Sequence, residues 1–102
     1  MRHVRYSTKD TFANWLANLR NVVAKAAILR RLNKAHEGHL GDVKPIDEGI
    51  YEMRFFVIAR YRAYFIINNG TILLLLCGGD KSSQKRDIKL AKSMLKEMNE
   101  DN

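Results

Sequence analysis

The chain has 102 residues, 46% of them hydrophobic, which suits one domain over residues 1–102 with about two thirds of its unfolded surface buried. Eighteen Lys and Arg against 11 Asp and Glu give a formal charge of +7 and a pI near 9.8, a balance that favours polyanions or acidic proteins over acidic small molecules. A single Cys excludes an internal disulfide, the start of the chain lacks a signal-peptide core, and the longest apolar run, 72–77, is too short for a bilayer. A soluble, cytoplasmic protein away from the membrane is expected.

In chain order, residues 2–6 alternate as a short edge strand would. Ser7 to Asp10 fits a Ser-x-x-acid capping pattern, and Phe12, Trp15, Leu16 and Leu19 then form one helical stripe that Asn21 breaks. A second helix, from Val22 to His36, carries Ala24, Ala27, Ile28, Leu32 and Ala35 on one side. Lys25, Arg30, Arg31 and Lys34 are left for solvent or a partner. The two predict a helical hairpin laid on a flat layer. From Glu37 to Gly49 the Gly, Pro and acidic residues read as a connecting loop.

Three strands are expected next. Asn69-Gly70 is a two-residue hairpin signal that sets Asn68 opposite Thr71, Ile66 opposite Leu73, Tyr64 opposite Leu75 and Arg62 opposite Cys77. A tight turn near Ala59 sets Val57 opposite Tyr61, Phe56 opposite Arg62 and Arg54 opposite Tyr64. Alternation then places Tyr51, Met53, Phe55, Val57, Tyr61, Ala63, Phe65, Ile67, Ile72, Leu74 and Leu76 on a core face. The opposite face carries Arg54, Phe56, Arg60, Arg62, Tyr64 and Cys77, a mixture of guanidinium groups and rings.

The run Cys77-Gly-Gly-Asp-Lys-Ser-Ser-Gln-Lys85 joins the last strand to a basic helix, with Gly78 and Gly79 read as a sharp turn and Ser82 or Ser83 as the helix cap. Free N–H groups there favour a phosphate. The helix from Gln84 to Met98 has an apolar stripe of Ile88, Ala91, Leu95 and Met98. A second stripe of Lys85, Lys89, Lys92 and Lys96 is either a solvated face or a polyanion contact.

RNA offers phosphates for Arg and Lys and base faces for rings, so the Arg54, Arg62 and Tyr64 face reads as a single-strand platform, or else as a surface whose arginines pair with Glu52 or Asp80. His36 and His39 lack a third ligand, and Cys77 has apolar neighbours and no adjacent His. Neither a metal site nor a thiol nucleophile is expected.

Phe12 with Trp15-Leu16 and Leu19-Arg20, Ile28 to Leu32, Gly41-Asp42-Val43-Lys44, Glu52-Met53-Arg54, Tyr61 to Phe65 and Leu74 to Gln84 together resemble the addiction-module killer proteins. These are the HigB branch of the RelE superfamily, and the resemblance covers nearly the whole chain. It implies an α+β, RelE-like fold, with two N-terminal helices and a C-terminal helix packed on a small, mostly antiparallel sheet of three to four strands. It further implies the toxin of a type II toxin–antitoxin pair, an endoribonuclease that cuts mRNA on the ribosome without metal or cofactor and is held inactive by a helix-turn-helix antitoxin encoded nearby.

Carried over by position, Arg54, Arg62 and Lys81 are the implied catalytic residues, with Lys44 beside them; Arg60, Tyr64, Asp80 and Lys85 are the further candidate RNA contacts of this chain. The chain departs from its relatives where Ile58-Ala59-Arg60 replaces a Gly-Pro-Gly type turn and Phe56 a polar residue. That departure keeps a second reading open, a non-catalytic basic module that binds RNA or an antitoxin.

Overall fold

The computed structural model describes residues 7–55, 60–68 and 71–100. The elements run β1 (Ser7–Thr8), α1 (Asp10–Ala17), α2 (Val22–His36), β2 (Val43–Asp47), β3 (Ile50–Arg54), β4 (Tyr61–Asn68), β5 (Thr71–Asp80), a single 3₁₀ turn (Lys81–Ser83) and α3 (Gln84–Glu100). One sheet has the order β1-β5-β4-β3-β2; β2 to β5 are antiparallel, and β1 adds a two-residue parallel edge. The fold is α+β, with helices on both faces of the sheet. The strand expected at 2–6, the tight turn near Ala59 with its Val57 and Phe56 pairings, and the Asn69-Gly70 bend lie outside the described residues.

The helix starts are set by different devices. At α1 the capping position is Lys9, with no side-chain hydrogen bond, because Ser7 and Thr8 are drawn into pairing with β5 and Lys9 N–H donates to the Leu75 carbonyl. The capping position thus falls at Lys9 and not at the expected Ser7. α1 ends at Ala17, before Leu19 and the break expected at Asn21; Asn21 instead caps α2, its Oδ1 accepting from Ala24 N–H at 3.0 Å. All five apolar residues assigned to one side of α2 are buried.

The stretch expected as a plain loop, 37–49, contains β2. Pro45 sits in it without conflict because β2 is an edge strand, where a missing N–H leaves no neighbour unpaired. Glu48 and Gly49, both at positive φ (56° and 84°), make the two-residue bend between Asp47 and Ile50. Glu is an unusual residue for that position, which hid the hairpin.

Pairing of β4 with β5 begins as expected, Asn68 opposite Thr71, and then departs from the count. Two irregularities each put an extra residue into β5, so Ile66 faces Leu74, Tyr64 faces Cys77 and Arg62 faces Gly79. The first bulge turns Leu74 and Leu76 away from the face assigned to them and brings Leu75 onto it; the second restores the alternation for Cys77. The register of β3 against β4 also differs from the count. Phe55 N–H donates to the Tyr61 carbonyl, Arg54 pairs with Arg62, and Tyr64 pairs with Glu52. A shift of two residues keeps each side chain on its expected face.

One face packs Met53, Phe55, Ala63, Phe65, Ile72 and Leu75 against Phe12 of α1 and Ile28, Leu32 and Ala35 of α2. The other packs Ile50, Tyr64, Leu74, Leu76 and Cys77 against Ala91 of α3, with Ile88, Leu95 and Met98 beside it. Of the expected platform, Tyr64 and Cys77 are thus covered by α3 and Arg62 is buried beside them, while Arg54 and Arg60 stay exposed at its end. Gly78 and Gly79 belong to β5 and not to a sharp turn, since neither has positive φ. Each admits a covering layer: a Cβ on Gly78 would strike the Trp15 ring, and one on Gly79 would strike Asp87 and Ser83.

Candidate functional site

One end of the sheet gathers the chemistry. There β3 ends at Arg54, β4 starts at Tyr61, β5 ends at Asp80 and the chain turns into α3. Arg54, Arg62 and Gly79 are successive partners across the strands, and Lys44 and Glu52 occupy the next row inward. Arg60, Lys81 and Lys85 border the same end on the bend, the 3₁₀ turn and the first turn of α3. Lys44, Arg54, Arg60, Lys81 and Lys85 are all exposed. A cationic rim with accessible head groups attracts phosphate without fixing its sequence.

The two arginines at its centre differ in kind. Arg54, with 45% of its side chain exposed, makes a two-pronged contact with Asp42: Nε to Oδ2 at 3.0 Å and Nη2 to Oδ1 at 3.3 Å. Arg62 keeps only 9% of its side-chain surface. Its Nε lies 3.7 Å from Glu52 Oε2, an ion pair without a hydrogen bond, and its Nη1 donates to the Arg60 carbonyl at 3.2 Å. The sequence pairing suggested for Arg54, with Glu52 or Asp80, is replaced by Asp42.

Beneath the rim lies Glu52, offered by the sequence as a surface ion-pair partner for the arginines and found paired with Arg62 but buried. Glu52, 1% exposed, accepts through Oε2 from the Tyr64 hydroxyl at 3.0 Å and from Gln84 Nε2 at 2.7 Å. Its Oε1 and the Arg62 Nε have no hydrogen-bond partner among the described residues. Burial, reinforced by Glu52, raises the Tyr64 phenol above its usual value. Tyr64 is fully buried and so offers no ring face to a base, which removes it from the expected RNA contacts. Strand alternation carried the signal, for Glu52 shares the face of Arg54 and Tyr64.

Asp80 is also reassigned. Its Oδ1 accepts from Ser82 N–H (2.9 Å), Ser83 N–H (3.2 Å) and the Ser82 hydroxyl (2.6 Å), while Ser83 Oγ accepts from Asp80 N–H (3.1 Å). This reciprocal capping box makes Asp80 the cap in place of Ser82 or Ser83. The Ser82 hydroxyl bond, followed by the backbone N–H groups, holds the carboxyl below the usual carboxylate range. A carboxylate so occupied is a poor proton acceptor and a poor phosphate contact. Cys77 donates through its thiol to the Asp87 carbonyl at 3.4 Å, and burial pushes it up to about 12, far from a reactive thiolate.

Arg31, assigned to solvent or a partner by its place on α2, instead fixes the site from behind. Nη2 donates to the Leu40 carbonyl at 3.0 Å and Nη1 to the Arg54 carbonyl at 2.9 Å, with the guanidinium 5.4 Å from the Phe55 ring centroid. Gly41, at φ 73°, leaves the room that this guanidinium fills. The loop before β2 and the end of β3 are thereby held together.

No protein-family model matches the chain. A Haemophilus influenzae protein described as uncharacterized is 42% identical over 95 residues, covering 93% of this chain and 96% of its own length. The chain belongs to that protein's family. The aligned span includes the whole rim, so the relationship extends over the strand ends, the capped turn and the helix that closes them. It carries no activity with it. Among the described residues, no helix is long and apolar enough to cross a membrane.

Proposed function

We propose that the chain is the toxin of a type II toxin–antitoxin pair, an endoribonuclease acting on mRNA at the ribosome. The observation that carries this reading is the convergence of exposed Lys44, Arg54, Arg60, Lys81 and Lys85 at one end of the sheet. The resemblance to the RelE and HigB toxins supports it independently. In the proposed reaction the ribose 2′-hydroxyl loses its proton and attacks the adjacent phosphorus, the bond to the 5′-oxygen breaks, and that oxygen takes up a proton. The products are a 2′,3′-cyclic phosphate and a new 5′-hydroxyl end. Arg54 and Lys81 stabilise the charge that builds on the phosphate oxygens. Arg62 supports them from below.

Arginine stays protonated and Asp80 is committed to its cap, so no strong base stands at the rim. Ribosomal alignment of the substrate is then the larger contribution to rate. Arg54→Ala and Lys81→Ala are the informative variants, because both side chains are exposed and their loss leaves the core intact. Each is expected to slow cleavage of ribosome-bound mRNA about a hundredfold. If both folded variants cut like the parent, the assignment is wrong.

The burial of Arg62 and Tyr64 favours a second reading, a basic module that occupies RNA or an antitoxin without cutting. Mapping RNA 5′ ends during overexpression separates the two. A nuclease leaves new ends inside coding regions, and a blocker leaves none.

A further inference from the structure

Arg54 and Arg62 are neighbours across two strands, yet each meets a different kind of carboxylate. The Arg62–Glu52 pair is buried and tied to α3 through Gln84, so separating it would strand charge away from water. The Arg54–Asp42 pair is open to solvent, with 45% and 22% of the side chains exposed, and can separate freely. Its geometry is the fork-to-oxygen grip by which a guanidinium holds either a carboxylate or a phosphate.

We infer that Asp42 is an internal competitor for the RNA phosphate: it occupies the fork of Arg54 in the free chain, and a phosphate of single-stranded RNA displaces it on binding. This rests on the reading that the rim receives RNA. The loop bearing Asp42 is built to keep it in place. Arg54 N–H donates to the Asp42 carbonyl at 3.2 Å, and Arg31 holds the Leu40 carbonyl, so the carboxylate is presented at a high effective concentration. RNA must therefore outbid a tethered anion, and the affinity of the rim is set by Asp42 as well as by its cations.

The test measures binding of a short single-stranded 2′-O-methyl oligoribonucleotide, which cannot be cut by 2′-hydroxyl attack, to the parent, Asp42→Asn, Arg54→Ala and the double variant over a salt series. Thermal unfolding is followed in parallel. Asp42→Asn is expected to bind about threefold more tightly, the scale of an exposed ion pair. The dependence of log affinity on log salt loses slope by about 0.7 in Arg54→Ala, as one phosphate contact fewer requires. The gain from Asp42→Asn vanishes in the Arg54→Ala background. If the parent binds and Asp42→Asn binds equally or more weakly, the competitor role is overturned and the RNA reading stands. If neither the parent nor Asp42→Asn binds, both fall together.

Discussion

The face of the sheet under α1 and α2 is closed by Phe12, Ile28, Leu32, Phe55 and Phe65, whereas the face under α3 buries Glu52, Arg62, Tyr64 and Asp87 alongside Ile50, Leu74 and Leu76. Apolar packing holds the first together, with Arg31 pinning its edge to the Arg54 carbonyl. The second also depends on a chain of polar contacts from β3 through β4 to the start of α3, and that chain ends directly beneath the exposed cations. The contrast separates two tasks: one face supplies cohesion, and the other fixes the height and direction of the rim.

If that division holds, truncations on the two faces fail for different reasons. Phe65→Ala, in the α1/α2 face and stacked on Tyr51 at 6.2 Å, should lose about 4 kcal/mol in urea unfolding through the cavity it leaves. That loss should be the same at neutral and alkaline pH. Glu52→Ala should cost about 3 kcal/mol, because Arg62 keeps its charge in a buried place and the Tyr64 hydroxyl and Gln84 amide lose their acceptor. Replacing Glu52 and Arg62 together by Leu and Met should recover most of it. A double variant as unstable as the single one would show that Glu52 matters by packing, and the contrast between the faces would fail.

The cohesive face was the more legible one, because its signals are local: the α2 stripe and the alternation of Met53, Phe55, Ala63 and Phe65 are fixed by periodicity. What escaped were properties that no period records. Two bulges in β5 exchanged the faces of Leu74 to Leu76, since an added residue inverts alternation without altering the composition. Glu48-Gly49 made a hairpin where a loop was expected. Of the rim cations, Arg54 was placed by alternation, Lys85 by the lysine stripe and Lys81 by the resemblance, but their surroundings required α3 to be placed over the Arg62 and Tyr64 face. Once it is there, Tyr64 becomes part of the core and Asp80 a cap.

Tyr64→Phe gives a smaller and more selective probe, an expected loss of about 1.5 kcal/mol at neutral pH from the acceptor left behind. Its pH signature separates the faces further. The folded phenol is raised from 10.0, so its contribution is intact below that pH and is lost as pH rises toward the folded value, where the unfolded chain ionises first. Cys77, raised from 9.0 to about 12, works in the same direction from a lower starting pH. The parent should therefore lose stability on the alkaline side more steeply than Tyr64→Phe, the remainder coming from Cys77. Identical alkaline limbs would mean that the phenol ionises as easily in the folded chain as outside it.

The mildest expected change is at the edge of the second face, where Asp80→Ala removes the cap of the turn that leads into α3. The loss should be about 1 kcal/mol, typical of a helix cap. Since the folded carboxyl is held below its ordinary 3.8, the contribution is present above that pH and is lost as pH falls through the lower folded value. Asp80→Asn keeps an oxygen for the Ser82 and Ser83 N–H groups and should retain much of the stability without the acid dependence. Calorimetry of the three proteins from neutral to acid pH resolves the two effects. If Asp80→Ala is as stable as the parent throughout, the turn is held by Ser83 and its contact with Asp87, and the start of α3 is anchored from inside the sheet and not from its rim.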